Sequence, residues 1–407
     1  MFDTTQFIKE KTQELSEQVN GKALIAFSGG VDSTVCAALV HKAIGKNLIA
    51  VHVDTGYMRK HESKEVEQLM KRMGINYQFI DASEEFFKAL TPITDPEEKR
   101  KIIGDLFLDI QQKVSDELNL NPNEWLLAQG TIYPDTIETG GTKHADTIKT
   151  HHNRVERIQK LIDAGKVLEP LAQLYKDEVR LVGERLKLGE SLIWRHPFPG
   201  PGLAVRTLCA QGPDLPENFH DLEGKMNGIT KDRDLQAKIL PIKSVGVQGD
   251  ERTYRHPAAL FGEAESWDDL NKISTRLTNQ FAEINRVVWA LNPAIIEDLT
   301  TQNSYINPGR ISIIQRADRI VMDFIKEAKI DRDIWQFPTV LIPVGKEGRP
   351  ESIVLRPVCS QEAMTADFYK MDFDLLNELV KRLMTLEGVF GIFYDITNKP
   401  PGTIEWE

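Results

Sequence analysis

The stretch IAFSGGVDSTVC, from Ile25 to Cys36, places a short polar turn rich in glycine between two apolar runs. Read as strand, turn and helix, it brings consecutive backbone N–H groups together and adds the positive end of a helix dipole. The glycines let the backbone approach a ligand closely and adopt positive φ where needed. The stretch therefore predicts a phosphate or pyrophosphate site built from Ser28, Gly29, Gly30, Val31, Asp32, Ser33 and Thr34.

The aspartate in this turn is an unexpected neighbour for an anion unless a Mg²⁺ ion lies between them. Asp32 is therefore predicted to be a magnesium ligand. The alternative is structural: the glycines only turn the chain, and the Asp32 carboxylate caps the following helix.

The sequence around this turn alternates short strand-like runs with helical patterns from Gly21 to about Arg206. Such alternation is typical of a parallel sheet covered by helices on both faces. The fold class predicted for residues 1–206 is therefore α/β, a doubly wound parallel sheet. Its strand candidates are ALIAF, NLIAVHVD, NYQFID, EWLLAQG and KVLEPL.

A segment dense in proline and glycine, RHPFPGPGLAVR from Arg195 to Arg206, can continue neither a helix nor a sheet ladder. It predicts a domain junction, followed by a second domain over residues 207–407 that could divide into two subdomains. Because strand-like runs mix there with helical patterns over 273–291, 311–329 and 373–386, this domain is expected to be α+β.

Composition excludes several classes of protein. No apolar run approaches the ~20 residues of a membrane helix, and a net charge of −11 argues against a broad nucleic-acid surface.

The N-terminal segment and the cysteines bear on the location of the protein. The charged N-terminal segment reads as an amphipathic helix, which predicts a cytoplasmic protein. The three cysteines lie far apart in the sequence and form no C-x-x-C pair, so we expect them to be reduced and buried.

The turn lacks the Walker pattern and its lysine, which argues against a kinase or GTPase. S-G-G-V-D-S resembles instead the pyrophosphate loop of N-type ATP pyrophosphatases. Further stretches along nearly the whole chain are similar to GMP synthetases, among them VDTGYMRK, LAQGTIYPDTIE, IKTHHN, KDEVR, LPIKSVGVQGDERTY and NKPPGTIEWE. The extension RVERIQKLIDAGK resembles the longer, eukaryote-like form of that family.

The resemblance implies an enzyme that uses ATP, Mg²⁺ and ammonia to convert XMP to GMP. The xanthine O2 would be adenylated, pyrophosphate would leave, and ammonia would displace AMP. Within the same class, NAD synthetase is an alternative, but RHPFPGPG and KPPGT have no place in it. A tRNA-modifying pyrophosphatase would need a basic surface, and a non-catalytic adenine-nucleotide sensor would not need the acids of GTIYPDTIE.

Further residues are predicted around the ATP. Val53 and Asp54 end the second strand at the carboxyl edge of the sheet, where ligands of such folds bind, although Asp54 could be a plain turn carboxylate. Asp135 and Glu138 are spaced to face the metal or phosphates, with solvated acids as the alternative. The resemblance adds Arg59, and a lid in which Lys149 and Lys176 neutralise the α-phosphate; zinc binding by His151 and His152 is less favoured.

The resemblance also places XMP against residues of the second half, where Lys399 and Arg252 suit a phosphate and Gln336 can both donate and accept hydrogen bonds. A solvated C-terminal tail is the alternative there, and core packing is the alternative for Tyr133. The set predicted to bind XMP is Tyr133, Asp250, Arg252, Gln336, Lys399 and Glu405.

No cysteine has the flanking glycines of a glutaminase nucleophile elbow, and only about 20 residues precede the first strand. Free ammonia or a separate glutaminase subunit is therefore expected to supply the nitrogen. The resemblance makes a homodimer possible without requiring it. The remaining expected partners are small molecules, with no nucleic acid and no membrane.

Overall fold

The computed structural model describes residues 2–117, 125–133, 161–248, 251–293, 299–360 and 365–407. Its contacts divide the chain into two units: residues 1–88 with 100–198, and residues 89–99 with 199–407. The division at residues 198 and 199 falls inside the proline- and glycine-rich segment. The sequence places the boundary at 206 and does not assign residues 89–99 to the second unit.

The first unit is built on a parallel sheet of five strands in the order β3-β2-β1-β4-β5, which confirms the predicted α/β fold. The five strands are β1 (Lys22–Ala26), β2 (Leu48–Asp54), β3 (Asn76–Asp81), β4 (Trp125–Ala128) and β5 (Val167–Leu168). All five fall on the predicted runs. The chain moves outward from β1 to β3 and then returns to β4 on the other side of β1, which makes a topological switch point between β1 and β4.

The helices described along this part of the chain are α1 (Thr4–Gln18), α2 (Val31–Ile44), α3 (Glu62–Met73), α4 (Ser83–Leu90), α5 (Pro96–Glu117), α6 (Lys176–Arg185) and α7 (Glu190–Ile193), with a 3₁₀ turn at Gly45–Asn47. Helix α2 lies at the centre of the unit: Val35, Leu39 and Val40 are fully buried. A helix whose side chains are apolar on nearly all sides is stable only when it is surrounded by other elements, as α2 is. The turn at its start, which is predicted to bind an anion, is therefore held on a rigid element.

The second unit contains a mixed sheet of seven strands, in the order β13-β15-β18-β10-β9-β7 with β8 paired to β9. These strands are β7 (Gln236–Ile239), β8 (Ser244–Gln248), β9 (Glu251–Phe261), β10 (Ile284–Asn292), β13 (Thr339–Ile342), β15 (Glu351–Leu355) and β18 (Val389–Asp395). Its helices are α8 (Phe219–Thr230), α9 (Trp267–Gln280), α10 (Pro308–Glu327) and α11 (Phe373–Leu383), with 3₁₀ turns at Gly202–Arg206 and Lys231–Arg233. Short strand pairs complete it: β6 (Ala210–Gln211) with β12 (Asn303–Ser304), β11 (Thr300–Thr301) with β14 (Val344–Gly345), and β16 (Val358–Cys359) with β17 (Asp367–Phe368).

The helix predicted over residues 273–291 is wrong in its second half. Helix α9 ends at Gln280, and residues 284–292 form β10, which lies between β9 and β18 in the middle of the sheet. Ile284, Val287 and Val288 are fully buried there. A strand covered on both faces shows no alternation of polar and apolar residues, so its pattern cannot be distinguished from that of a buried helix.

All three cysteines are free; Cys36 is buried, whereas Cys209 and Cys359 are partly exposed, contrary to the expectation that all would be buried. Among the described residues, no helix combines the length and the apolar composition that crossing a membrane requires.

Candidate active site

The predicted anion-binding turn connects β1 to α2. Gly29 has a φ of +78°, and a Cβ added to it would lie 2.3 Å from Cγ2 of Val66, so no other residue fits without displacing its neighbour. The Ser28 and Ser33 hydroxyl oxygens lie 3.0 Å apart, and the Thr34 hydroxyl donates to the Gly30 carbonyl at 2.8 Å. The turn is therefore tightly folded and lined with hydroxyl groups.

Helix α2 begins at Val31, and its N-cap residue Gly30 supplies no side-chain hydrogen bond. The first N–H groups of a helix have no acceptor within the helix, and together with the dipole they favour an anion. Asp32 lies inside the first turn and is not the N-cap, so it does not cap the helix as the structural alternative proposes.

Asp32 meets Lys176, the first residue of α6, in an ion pair. Nζ of Lys176 lies 2.5 Å from Oδ2 of Asp32, and the two side chains are 36% and 28% exposed. The second carboxylate oxygen, Oδ1, is buried and has no hydrogen-bond partner among the described residues. The predicted magnesium ligand and one of the predicted α-phosphate cations thus lie side by side, 144 positions apart in sequence.

The turn lies at the switch point of the sheet, against the loop that follows β4. A Cβ on Gly130 would approach the carbonyl carbon of Asp32 to 2.9 Å, and the Cys36 thiol donates to the Gln129 carbonyl at 3.3 Å. Burial, reinforced by the Asp32 and Glu169 carboxylates, raises the pKa of the Cys36 thiol far above its ordinary value. Cys36 is therefore a structural hydrogen-bond donor and not a nucleophile.

The resemblance implies a Mg²⁺ ion, and the residues here fit one in part. The unpartnered Oδ1 of Asp32 is a hard anionic oxygen beside the anion-binding turn, and Mg²⁺ is commonly held by one or two carboxylates together with substrate phosphates. Within the described ranges, no cluster of three or more His, Cys, Asp or Glu side chains could hold a metal without a substrate. Asp32 can therefore contribute to a magnesium site that the phosphates complete.

The end of β2 lies beside β1 in the sheet. Val53 is buried, and Oδ1 of Asp54 accepts the Gly56 N–H at 2.8 Å, the contact expected of a turn carboxylate.

Two further predicted residues contact aromatic rings. The Arg59 guanidinium lies 4.5 Å from the centre of the Phe198 ring. Tyr133, 37% exposed, packs edge-on against Tyr175 with ring centres 5.1 Å apart, so it is not a core residue.

Four predicted site residues, Asp135, Glu138, Lys149 and Asp250, lie outside the described residues, as do His151 and His152 and most of the predicted lid. The other predicted residues divide between the two units. The first unit contains the turn, Val53, Arg59, Tyr133 and Lys176. The second unit contains Arg252, Gln336, Lys399 and Glu405.

In the second unit, three residues predicted to bind XMP already have protein partners. Both carboxylate oxygens of Glu405 accept from the fully buried Arg206, at 2.7 and 2.9 Å, and the Gln336 amide donates to Glu405 at 3.1 Å. Arg252 pairs with Glu97 at 2.5 Å. Gln336 and Glu405 thus form one connected group, while Arg252 lies in a different ion pair.

The C-terminal segment is ordered by buried arginines. Arg286 pairs with Asp395 at 2.8 Å and donates to the Glu405 carbonyl at 2.7 Å, and Trp406 donates its indole N–H to Asp395 at 2.9 Å. Lys399 exchanges backbone hydrogen bonds with Ala366, at 2.7 and 3.1 Å. The tail is therefore not a solvated extension, and no ligand is needed to order it.

Sequence reasoning missed the basic residues that hold this segment in place. Lys99, fully buried, pairs with the side chain of Glu407 at 2.6 Å, and Arg356 pairs with Asp395 at 3.3 Å. Burial lowers the pKa of Arg286 to about 10 despite its carboxylate partner. For Arg286 and Arg356, only the isolated position of the arginine in an apolar run, as in IVLRPV, could have signalled such a partner; Lys99 lies in the charged run EEKRK and gives no such signal.

Two family models match parts of the chain. The family described as "GMP synthase C terminal domain" matches residues 323–406, and the family described as "Arginosuccinate synthase N-terminal HUP domain" matches residues 22–94. The second match begins at β1 and contains the anion-binding turn. Among solved structures, an NMN synthetase from Francisella tularensis shows 17% identity and a TM-score of 0.37, covering 50% of this chain and 78% of its own.

Several curated proteins align along nearly the entire chain. A probable glutamine-hydrolyzing GMP synthase from Leptospira interrogans is 45% identical over 99% of this chain and 67% of its own length. A protein from Methanocaldococcus jannaschii, named as one subunit of a glutamine-hydrolyzing GMP synthase, is 34% identical over 100% of both chains. The relative from Dictyostelium discoideum is 37% identical, and the chain spans 63% of its length. Because the relative from Methanocaldococcus jannaschii is 34% identical and is matched over its full length, the chain belongs to the GMP synthase family.

Proposed function

We propose that this chain is a C–N ligase that converts XMP to GMP with ATP and ammonia. The observation that carries the proposal is the end-to-end match, at 34% identity, to a protein named as one subunit of a GMP synthase. NAD synthetase remains the nearest alternative in chemistry, and the match to the GMP synthase C-terminal domain disfavours it.

The reaction has two steps. The xanthine O2 attacks the α-phosphorus of ATP, the bond between that phosphorus and the bridging oxygen breaks, and pyrophosphate leaves. Ammonia then attacks C2, loses a proton, and the C2–O2 bond breaks to release AMP. Both steps need the phosphate charge to be neutralised more strongly in the transition state than in the bound substrate.

The described residues supply that stabilisation in the following way. The N–H groups that begin α2 and the hydroxyls of Ser28 and Ser33 bind the departing pyrophosphate, where the helix dipole favours negative charge. Lys176 lies next to Asp32 and can transfer part of its interaction to the α-phosphate. Asp32 would hold Mg²⁺, whose charge offsets that of the phosphates when it is bound.

Ammonia is proposed to come from solution or from a separate glutaminase subunit. Burial raises the pKa of the thiols of Cys209 and Cys359 as it does for Cys36, so the cysteines of this chain lack the depressed pKa of a nucleophilic thiol. The word "subunit" in the name of the archaeal relative supports a separate partner. A homodimer and a cytoplasmic location stay predictions.

The proposal is tested by product analysis. The 407-residue chain, given ATP, Mg²⁺, XMP and ammonium, is expected to release AMP and pyrophosphate in equal amounts, and only when XMP is present. Glutamine in place of ammonium is expected to give no turnover. Release of ADP and phosphate, or AMP release with deamido-NAD in place of XMP, would contradict the proposal.

A further inference from the structure

An arginine that the sequence places in the domain junction lies beside the anion-binding turn. Nη1 of Arg195 is 4.0 Å from the position that a Cβ on Gly29 would occupy. Its other terminal nitrogen, Nη2, pairs with Oε1 of Glu62 at 2.6 Å. Arg195 is 21% exposed and Glu62 is 4% exposed, so the pair is mostly buried at the edge of the turn.

Helix α3 contacts both the turn and Arg195. Glu62 is its first residue and Val66 follows one turn later, so the two side chains share a face. Val66 packs against Gly29. Glu62 forms the ion pair with Arg195 and also accepts the backbone N–H of Arg59 at 2.8 Å. One helical face therefore sets the distance between the guanidinium and the backbone of the turn.

Glu62 pairs with one terminal nitrogen of the guanidinium, Nη2, while the other, Nη1, lies on the side of the turn. An arginine fork presents two parallel N–H groups that suit phosphate oxygens, and a partner on one edge fixes its orientation. The carboxylate that orients Arg195 is distinct from Asp32, so the two charge pairs can act independently.

We propose that Arg195 is a binding residue for the β- and γ-phosphates of ATP and for the pyrophosphate that leaves, with Glu62 as its positioning residue. The inference rests on the proposed function, because it assigns the turn to pyrophosphate. A local cation is needed there: Asp32 and Lys176 cancel each other's charge, while the triphosphate carries several negative charges. Arg195 supplies this charge from the side of α3.

Binding of inorganic pyrophosphate tests the inference without relying on turnover. The full chain is titrated with pyrophosphate and Mg²⁺ by calorimetry, and thermal melting confirms that each variant is folded. Arg195→Gln and the double variant Glu62→Gln with Arg195→Gln are expected to weaken pyrophosphate binding by about ten- to a hundredfold, the usual effect of losing one charge-assisted contact. The double variant removes both charges and so avoids leaving a buried carboxylate unpaired.

Two further variants separate binding from packing. Glu62→Gln alone is expected to weaken pyrophosphate binding less than Arg195→Gln does, because Arg195 keeps its charge and loses only the partner that orients it. Arg72→Gln, on the exposed end of α3, is the matched control and should change nothing. If Arg195→Gln, while still folded, binds pyrophosphate as tightly as the unmodified chain, the arginine does not contact the phosphates and the inference is overturned.

Release of AMP with XMP is measured in parallel and keeps the two proposals apart. If the unmodified chain releases AMP but Arg195→Gln binds pyrophosphate normally, only the inference fails. If pyrophosphate binding depends on Arg195 but XMP elicits no AMP, the substrate assignment fails and the inference stands.

Discussion

At the scale of single residues, the most consequential contact is the ion pair between Asp32 and Lys176. Lys176 is a candidate for neutralising the phosphates directly, and Asp32 is a candidate for doing so through a Mg²⁺ ion, yet the two side chains pair with each other at 2.5 Å. Under the proposed function, the lysine would turn towards the phosphate oxygens of a bound nucleotide, and the Asp32 carboxylate would then be available to hold Mg²⁺. The pair therefore keeps both side chains positioned without a large desolvation cost, since each remains about one third exposed.

The substitution Asp32→Asn tests the role of this carboxylate. We expect kcat to fall by about a hundredfold or more, because losing one stabiliser of transition-state charge costs about 3 kcal/mol. The free energy of unfolding should change by about 1 kcal/mol or less, as for other partly exposed ion pairs. Steady-state kinetics and thermal melting measure the two effects.

Asp177→Asn is the control, since Asp177 is 88% exposed and pairs with Arg180. Near-normal turnover of Asp32→Asn, or loss of its folding transition, would show that the carboxylate is structural.

A second prediction concerns Lys399. Its backbone is fixed by two hydrogen bonds to Ala366, and Lys399→Ala should keep these bonds while it removes the charged side chain. We expect the KM for XMP to rise about ten- to a hundredfold, while the KM for ATP stays nearly constant. Lys370→Ala, which removes an exposed ion pair with Asp268, serves as the control. An equal rise in the KM for XMP and the KM for ATP would indicate that Lys399 supports the fold or contributes to both binding sites.

Residue types were predictable from the sequence, but their partners were not. The motif NKPPGTIEWE marks Glu405 as a functional candidate, whereas its partner Arg206 lies 199 positions away and was read only as the end of a junction. Arg195 was read in the same way. Long-range ion pairs leave no local pattern, because either member can be any charged residue that the fold brings near.

At the scale of elements, the glycine turn depends on α3 as much as on α2. Gly29→Ala would force a Cβ to within 2.3 Å of Val66 and place alanine at a φ of +78°. We expect this variant to lose about 1 to 3 kcal/mol of stability and to bind ATP more weakly, because overpacking shifts the turn. Denaturant unfolding and ATP titration measure the two losses.

Gly45→Ala separates the two causes, since Gly45 has a φ of +57° and open space around it. It should show only the conformational cost, about 1 kcal/mol. Combining Gly29→Ala with Val66→Ala should restore part of the ATP affinity by removing the clash. If the combination restores nothing, contact with α3 does not set the shape of the turn.

Element types could be predicted where the periodicity was clear. The five parallel strands of the first unit fall on the predicted runs, since short apolar segments bounded by helical patterns leave few alternatives. In the second unit the sequence pattern predicts a helix over the residues that form β10, and it does not predict β9 as one continuous strand. Pro257 lies inside β9, where a proline argues against a central strand, and only tertiary pairing reveals it.

At the scale of the whole molecule, an acidic chain is proposed to bind two anionic nucleotides. Its net charge of −11 repels them at long range, so affinity must come from local groups. Among the described residues, the proposed groups are the predicted anion-binding turn of the first unit and basic residues of the second. Several of the latter, including Arg206 and Arg286, are fully buried and committed to carboxylates. The cations available to substrates are therefore few, and each should matter individually.

The central claim is that the α-phosphate of ATP becomes attached to the xanthine O2, and isotope transfer tests it most directly. The chain is given XMP labelled with ¹⁸O at O2, together with ATP, Mg²⁺ and ammonium, and the products are analysed by mass spectrometry. We predict one ¹⁸O atom in the phosphate of each AMP released, unlabelled pyrophosphate, and GMP without label at C2. Label in inorganic phosphate, or AMP that carries no ¹⁸O, would contradict the account.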